Sequence, residues 1–248
     1  MAHSRVVLQS LSLLALLLIW QTAASALESR VLPPPLTVLE VLVAGFESGQ
    51  IPKNVGITLA RVAASFLLAM VIGIAIGILM GRHTTVDRLF DGWLVLFLNI
   101  PALVTMILCY VWFGLTEVAA ITAVAINKIP NVVVTLREGA RALDRDLLEM
   151  AQVFKLQRWS VLRHVVMPQL QPYIMGTARS GLALIWKIVL VVELLGRSNG
   201  VGFQLYSYFQ LFDVAGILAY TLTFVLVVQL IELALLQPLE ARLNRWRR

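Results

Sequence analysis

The sequence predicts an all-α integral membrane protein, a bundle of six transmembrane helices. Three observations carry that prediction. Apolar residues make up 59% of the 248 residues and charged residues 14%, where soluble domains hold roughly 45–50% and about 25%. Mean hydropathy is +0.85. Finally, six separate stretches each supply the roughly 20 mainly apolar residues that a helix needs to cross a bilayer. A soluble fold of this length could not bury so much apolar surface and still cover itself with charge. The composition also excludes a disordered chain, a collagen-like chain and a secreted disulfide scaffold. Cys109 is the single cysteine, so there is no internal disulfide and no thiolate cluster; its apolar surroundings suit a small core residue.

The six spans fall at 8–27, 56–80, 93–114, 116–136, 173–195 and 214–236, with punctuation in each interval. Pro33-Pro34-Pro35 and Pro52 separate the first two. Gly81-Arg82-His83 and Asp91-Gly92 precede the third, and Gly114 to Glu117 turns the chain into the fourth. The polar stretch 137–172 follows, and Gly196 to Gly202 opens the last external segment. The first span has a second reading, because Arg5, an apolar run and Ala24-Ser25-Ala26 also resemble a signal peptide with its cleavage site. Residues 36–50 are too short to span. There Leu36, Leu39, Val43 and Phe46 recur at helical spacing, which predicts a helix lying on the outer surface. No repeat or low-complexity tail interrupts the chain, so 1–248 reads as one membrane domain with its core bundle at 56–236.

Ser65, Ala69, Gly73, Gly77 and Gly81 stand at strict i, i+4 spacing in the second span. Such a stripe lets helix backbones approach closely in lipid, within the bundle or across a dimer. Arg61 continues the stripe toward the outer end, where a long side chain is expected to snorkel.

The net charge of +6 would suggest nucleic acid in a soluble protein. Here the cations sort by side instead. Arg5, Arg82, Arg88, six between Arg137 and Arg163, and four between Arg242 and Arg248 make thirteen on one side, against Arg30, Lys53 and Arg197 on the other. This predicts that both termini of a multi-pass membrane protein lie in the cytoplasm, with no nucleic-acid role.

The cytoplasmic stretch 137–172 is more than a connector. Leu143, Leu147, Met150, Ala151 and Phe154 recur at spacings of three and four, and Trp159, Leu162, Val165 and Val166 form a second short run. Pro168 and Pro172 are expected to break the chain before the fifth span. Two short helices with an apolar stripe suit either docking to a partner or packing on lipid heads.

Glu149-Met150-Ala151, followed at fixed distance by Val165, Met167 and Pro168, resembles the EAA loop of binding-protein-dependent ABC importer permeases. Met150 stands where that motif has its first Ala, and Lys155 where it has Gly. From about residue 30 the chain is similar to the nitrate, sulfonate, taurine and bicarbonate branch. Leu32-Pro33-Pro34-Pro35, Thr58-Leu59-Ala60-Arg61, Trp112-Phe113-Gly114, Val192-Glu193-Leu194-Leu195-Gly196 and Gly200-Val201-Gly202 carry that likeness.

The resemblance implies the type I ABC importer permease fold with a cytoplasmic coupling-helix hairpin. It implies a homodimeric pathway for a small anionic solute, two ATP-binding cassette subunits below, and a soluble substrate-binding protein outside. Glu149, Met150, Ala151, Phe154, Lys155, Leu156, Trp159, Leu162 and Pro168 are then the ATPase-coupling residues, with Glu149 as a cap or ion-pair partner. A glycine at position 155 would permit a positive-φ turn; lysine tolerates that poorly, so a differently shaped turn is expected. The chain has no G-x-x-x-x-G-K-[ST] loop, so ATP and Mg would sit on the partner ATPase, leaving no cofactor in this chain.

Lys128, Lys187 and Glu193 lie within spans, where a charge costs at least ~2.5–3.5 kcal/mol at mid-membrane and marks a candidate translocation pathway. Lys187 and Glu193 are about 120° apart on a helix of ~3.6 residues per turn and should not pair. Lys187 and Lys128 could attract an anion; Glu193 reads more as a loop anchor. His3, His83 and His164 are scattered away from metal-ligand spacing, and no Ser-His-Asp set or carboxylate pair suggests catalysis. A transport subunit is expected rather than an enzyme, with a stand-alone secondary transporter or channel as the competing reading.

Overall fold

The computed structural model describes residues 2–27 and 31–238, and the described residues are helical nearly throughout. Close contacts group the chain into two units, one of Met1–Thr58 with Ser198–Pro238 and one centred on Leu59–Arg197.

In the first unit, α1 (Ala2–Leu27) leaves Leu14, Leu16, Leu18 and Ile19 exposed, as a helix facing lipid would. The Trp20 indole N–H donates to the Pro33 carbonyl at 3.0 Å. The triple proline starts α2 (Pro35–Glu47). Pro34 is extended, and Pro35 occupies the first helical turn, where its missing N–H leaves nothing unsatisfied. Val38 is buried and α2 packs on α11 (Val214–Ile231), while Leu36, Leu39, Val43 and Phe46 stay exposed. Gly49, at φ +71°, turns the chain into α3 (Gln50–Arg82). The segment after Gly196 is not merely a loop, because it contains α10 (Val201–Gln210). Its start is tied down by α3: Asn54 Oδ1 accepts the Gly200 N–H and Thr58 Oγ1 accepts the Val201 N–H, each at 2.9 Å. Asp213 caps α11 by accepting the Gly216 N–H at 3.0 Å.

In the second unit the small-residue stripe of α3 forms an intrachain seam with α6 (Glu117–Arg141). A Cβ on Gly73 would stand 2.5 Å from Val132 Cβ, one on Gly77 2.7 Å from Leu136 Cβ, and one on Gly81 2.6 Å from Ala140 Cβ. Ser65 Oγ donates to the Ile121 carbonyl at 3.4 Å, and Ala69 is fully buried. At Gly73, Gly77 and Gly81 only a residue without a side chain permits this approach.

The predicted third span, 93–114, is not one helix. It is shared between α4 (Thr84–Asn99) and α5 (Ala102–Phe113), which are bent by 96°. Pro101 is the cause: it offers no N–H to continue α4 and forces Ile100 into an extended conformation (ψ 123°). Among the described residues, the helices long and apolar enough to cross a membrane are Gln50–Arg82, Glu117–Arg141 and Val214–Ala234, with the bent pair as a broken span or a re-entrant loop; the predicted spans at 8–27 and 173–195 are not among them.

The predicted break at Pro168 and Pro172 is also overturned. After α7 (Arg145–Val153) and α8 (Arg158–Val161), a π turn over Leu162–Val166 leads without interruption into α9 (Met167–Gly196), with Pro168 and Pro172 inside it. The Met167 N–H reaches back five residues to the Leu162 carbonyl, and Pro168 comes next. The wider turn changes the hydrogen-bond register just where the donor is missing. The same device recurs at Glu232–Leu236, where the Gln237 N–H bonds the Glu232 carbonyl immediately before Pro238.

Candidate coupling hairpin and intramembrane charges

The stretch predicted as the cytoplasmic loop, 137–172, is shorter as a loop than expected, because Arg137–Arg141 still belong to α6. Those two arginines secure the root. Arg137 pairs with Asp87 (3.3 Å) and Asp91 (2.5 Å) of α4, and Arg141 with Asp87 and with Glu138 (3.0 Å). Leu136, Ala140, Leu143, Val166 and Leu170 form a buried cluster under the hairpin, with Leu148 and Leu162 packed against it.

Asp144 caps α7: its carboxylate accepts the N–H groups of Asp146 (2.9 Å) and Leu147 (3.4 Å). Gln169 ties that cap to α9, its Oε1 accepting the Asp144 N–H at 2.8 Å. Glu149 therefore is not the cap; it sits past the first turn, exposed, with no ion pair among the described residues. A cap must precede the helix, and Asp144 holds that place.

The C-terminus of α7 closes as a Schellman motif. The Leu156 N–H bonds the Ala151 carbonyl at 3.0 Å and the Lys155 N–H bonds the Gln152 carbonyl at 2.9 Å, with Lys155 in the left-handed region at φ +49°. The expectation of a differently shaped turn is thus corrected. Lys155 adopts the conformation a glycine would take, and the two backbone bonds hold it there.

Ala151 is buried, whereas Met150, Val153, Phe154, Leu156 and Trp159 are exposed, Phe154 by 71% and Trp159 by 70%. Leu162 and Pro168 are half-buried. A cavity of about 430 Å³ opens behind this apolar tip, with Arg82 and Arg158 among its walls and Ala151, Leu156 and Leu162 between them.

The charges within the bundle divide sharply. Arg61 does not snorkel. Only 3% exposed, it donates to both Glu117 oxygens (2.8 and 2.6 Å) and to Glu193 Oε1 (2.7 Å). Arg197 also pairs with Glu117 at 2.6 Å and donates to the Leu115 carbonyl. Two acids converge on one guanidinium, so Arg61 is neutralised in place and has no reason to stretch toward water. Tyr110 adds a bond from its hydroxyl to the Val192 carbonyl at 2.8 Å. Sequence reasoning missed this knot, although a cation and two acids at the ends of three spans were its available signal.

Lys128 is buried against α9, and Lys187 is exposed on α9, as are Gly176, Arg179, Ser180 and Ala183. The structure does not bring Lys128, Lys187 and Glu193 together at one point.

Apolar helices long enough to cross a membrane, together with a hairpin whose tip is exposed and apolar, fit one class of protein, the membrane component of a transporter. The family model described as "Binding-protein-dependent transport system inner membrane component" matches residues 69–237, and the chain belongs to that family of ABC importer permeases. Among curated relatives, the chain is 29% identical to the taurine transport system permease protein TauC of Escherichia coli over 98% of this chain and 91% of that protein. It is 29% identical to the nitrate import permease protein NrtB of Synechocystis over 82% and 77%. Among solved structures, the MetNI methionine ABC transporter in an inward-facing form aligns with a TM-score of 0.68 at 19% identity. That alignment covers 80% of this chain and 98% of the other, a likeness of fold.

Proposed function

We propose that this permease works as a homodimer, driven by two ATP-binding cassette subunits, and imports a small oxyanion delivered by a soluble substrate-binding protein. The exposed tip of the hairpin carries the proposal. Phe154 and Trp159 stand clear of the fold at 71% and 70% exposure, on a turn locked by two backbone hydrogen bonds. Burial of such aromatic anchors in a partner's groove is what a tight interface requires. Because α8, the π turn and α9 run on as one helix, a push on the tip would pass directly into the bundle as rigid-body motion.

The oxyanion reading draws on the taurine and nitrate named for the relatives. It also draws on the exposed face of α9, where Arg179, Ser180 and Lys187 are too polar to face lipid. A second copy and a solute pathway would cover that face. On this reading the chain is a transport subunit, ATP and Mg would belong to the cassette subunits, and the cation distribution supports termini on the cytoplasmic side.

Co-expression of this chain with its cognate cassette subunit tests the reading. The two should co-purify, and Phe154→Ala with Trp159→Ala should abolish co-purification. A chain that transports alone, with no cassette subunit bound, would instead be a secondary transporter.

A further inference from the structure

We propose that Lys128, Thr177 and Gly181 form an oxyanion-binding site in the seam between α6 and α9. The proposal deepens the importer reading and rests on it for the identity of the solute, though not for binding itself.

Lys128 is only 5% exposed, and no hydrogen bond or ion pair reaches it among the described residues. The other buried charges of this unit contrast with it, because Arg61 and Glu193 satisfy each other. A lysine buried in a bundle without a counter-charge is disfavoured in its charged form, and an anion beside it relieves that penalty.

The position of its amine is set by Gly181. A Cβ there would lie 2.8 Å from Lys128 Cε and 3.5 Å from Nζ, so the lysine chain crosses α9 where a side chain is missing. Thr177 lies one turn earlier on the same face of α9. It is 3% exposed, and its hydroxyl is enclosed with no hydrogen-bond partner. Threonines in these helices ordinarily donate to the carbonyl four residues back, as Thr58, Thr135, Thr221 and Thr223 all do. Thr177 does not. A mostly buried lysine and an enclosed hydroxyl, neither with a hydrogen-bond partner among the described residues, flank one glycine. What they lack in common is a negatively charged acceptor with more than one oxygen, the chemistry of nitrate or a sulfonate.

The test is thermal unfolding of the purified chain in detergent, with sodium nitrate or sodium methanesulfonate against sodium chloride at equal ionic strength. The wild type should show a saturable rise in Tm of a few degrees with either oxyanion. Lys128→Met and Thr177→Val should each lose that rise while still melting cooperatively in chloride. If Lys128→Met fails to fold, Thr177→Val decides, since it removes the hydroxyl and keeps the shape. No oxyanion-specific shift in the wild type, or an undiminished shift in Thr177→Val, overturns the site. A persistent shift in a chain that binds no cassette subunit would keep the site and count against the importer reading.

Discussion

The guanidinium of Arg61 donates to Glu193 at 2.7 Å, and the two side chains are 4% and 0% exposed. An ion pair so buried is fragile to the loss of one partner, because the survivor keeps its desolvation penalty. Glu193→Ala leaves Arg61 its two bonds to Glu117, whereas Arg61→Met takes this cation from the fully buried Glu193 and should lower stability by about 3–5 kcal/mol, read as a fall in Tm of the purified chain. The double variant Arg61→Met with Glu193→Leu should lose less than Arg61→Met alone. An additive loss would mean the two residues do not act as a pair.

Along the α3–α6 seam, Gly77→Ala places a Cβ 2.7 Å from Leu136 Cβ and 2.9 Å from the Val133 carbonyl. Neither neighbour can yield without moving the helices apart, so a loss of about 1–3 kcal/mol is expected. Gly92→Ala is the control. Nothing lies within 4 Å of its Cβ, and a helical glycine replaced by alanine in open space gains roughly 0.5–1 kcal/mol. The two melting curves should move in opposite directions.

Lys155 holds φ +49° inside the turn that presents the hairpin tip. A non-glycine residue there carries strain of about 1–3 kcal/mol. Lys155→Gly should raise hairpin stability, seen as slower amide exchange at Leu156, whose N–H closes the turn. Lys155→Val, β-branched and less tolerant of positive φ, should speed that exchange.

Phe154 and Trp159 touch little in this chain, being exposed by 71% and 70%. Their alanine variants should melt within ~0.5 kcal/mol of the wild type, as exposed positions do. If they anchor the cassette subunit, each should weaken its binding by about 30-fold, equivalent to ~2 kcal/mol. Titration of the purified cassette subunit onto the immobilised chain measures this.

Much of the fold is legible in the sequence because bilayer thickness and backbone satisfaction leave so few solutions. Apolar length alone located Gln50–Arg82 and Glu117–Arg141, and the small-residue stripe marked the face by which α3 meets α6. The misreadings cluster at prolines. Pro101 splits a span that its hydropathy makes look continuous, whereas Pro168 and Pro172 are absorbed by a helix they were expected to end. A sequence shows the missing N–H but not whether a π turn re-registers the ladder around it. The EAA-like spacing identified the hairpin, yet its cap lies at Asp144, outside that motif. The pairing of Arg61 with Glu117 and Glu193 was hidden because 56 and 132 residues separate the partners.

The central claim is that a separate ATPase, acting through the hairpin, drives solute through this chain. Its most direct measurement is uptake of radiolabelled taurine and nitrate into proteoliposomes containing the chain, its cassette subunit and the binding protein. ATP-dependent accumulation of one of them, strongly reduced by Trp159→Ala while the fold is retained, is the predicted result. Equal uptake without ATP or without the cassette subunit would contradict the account.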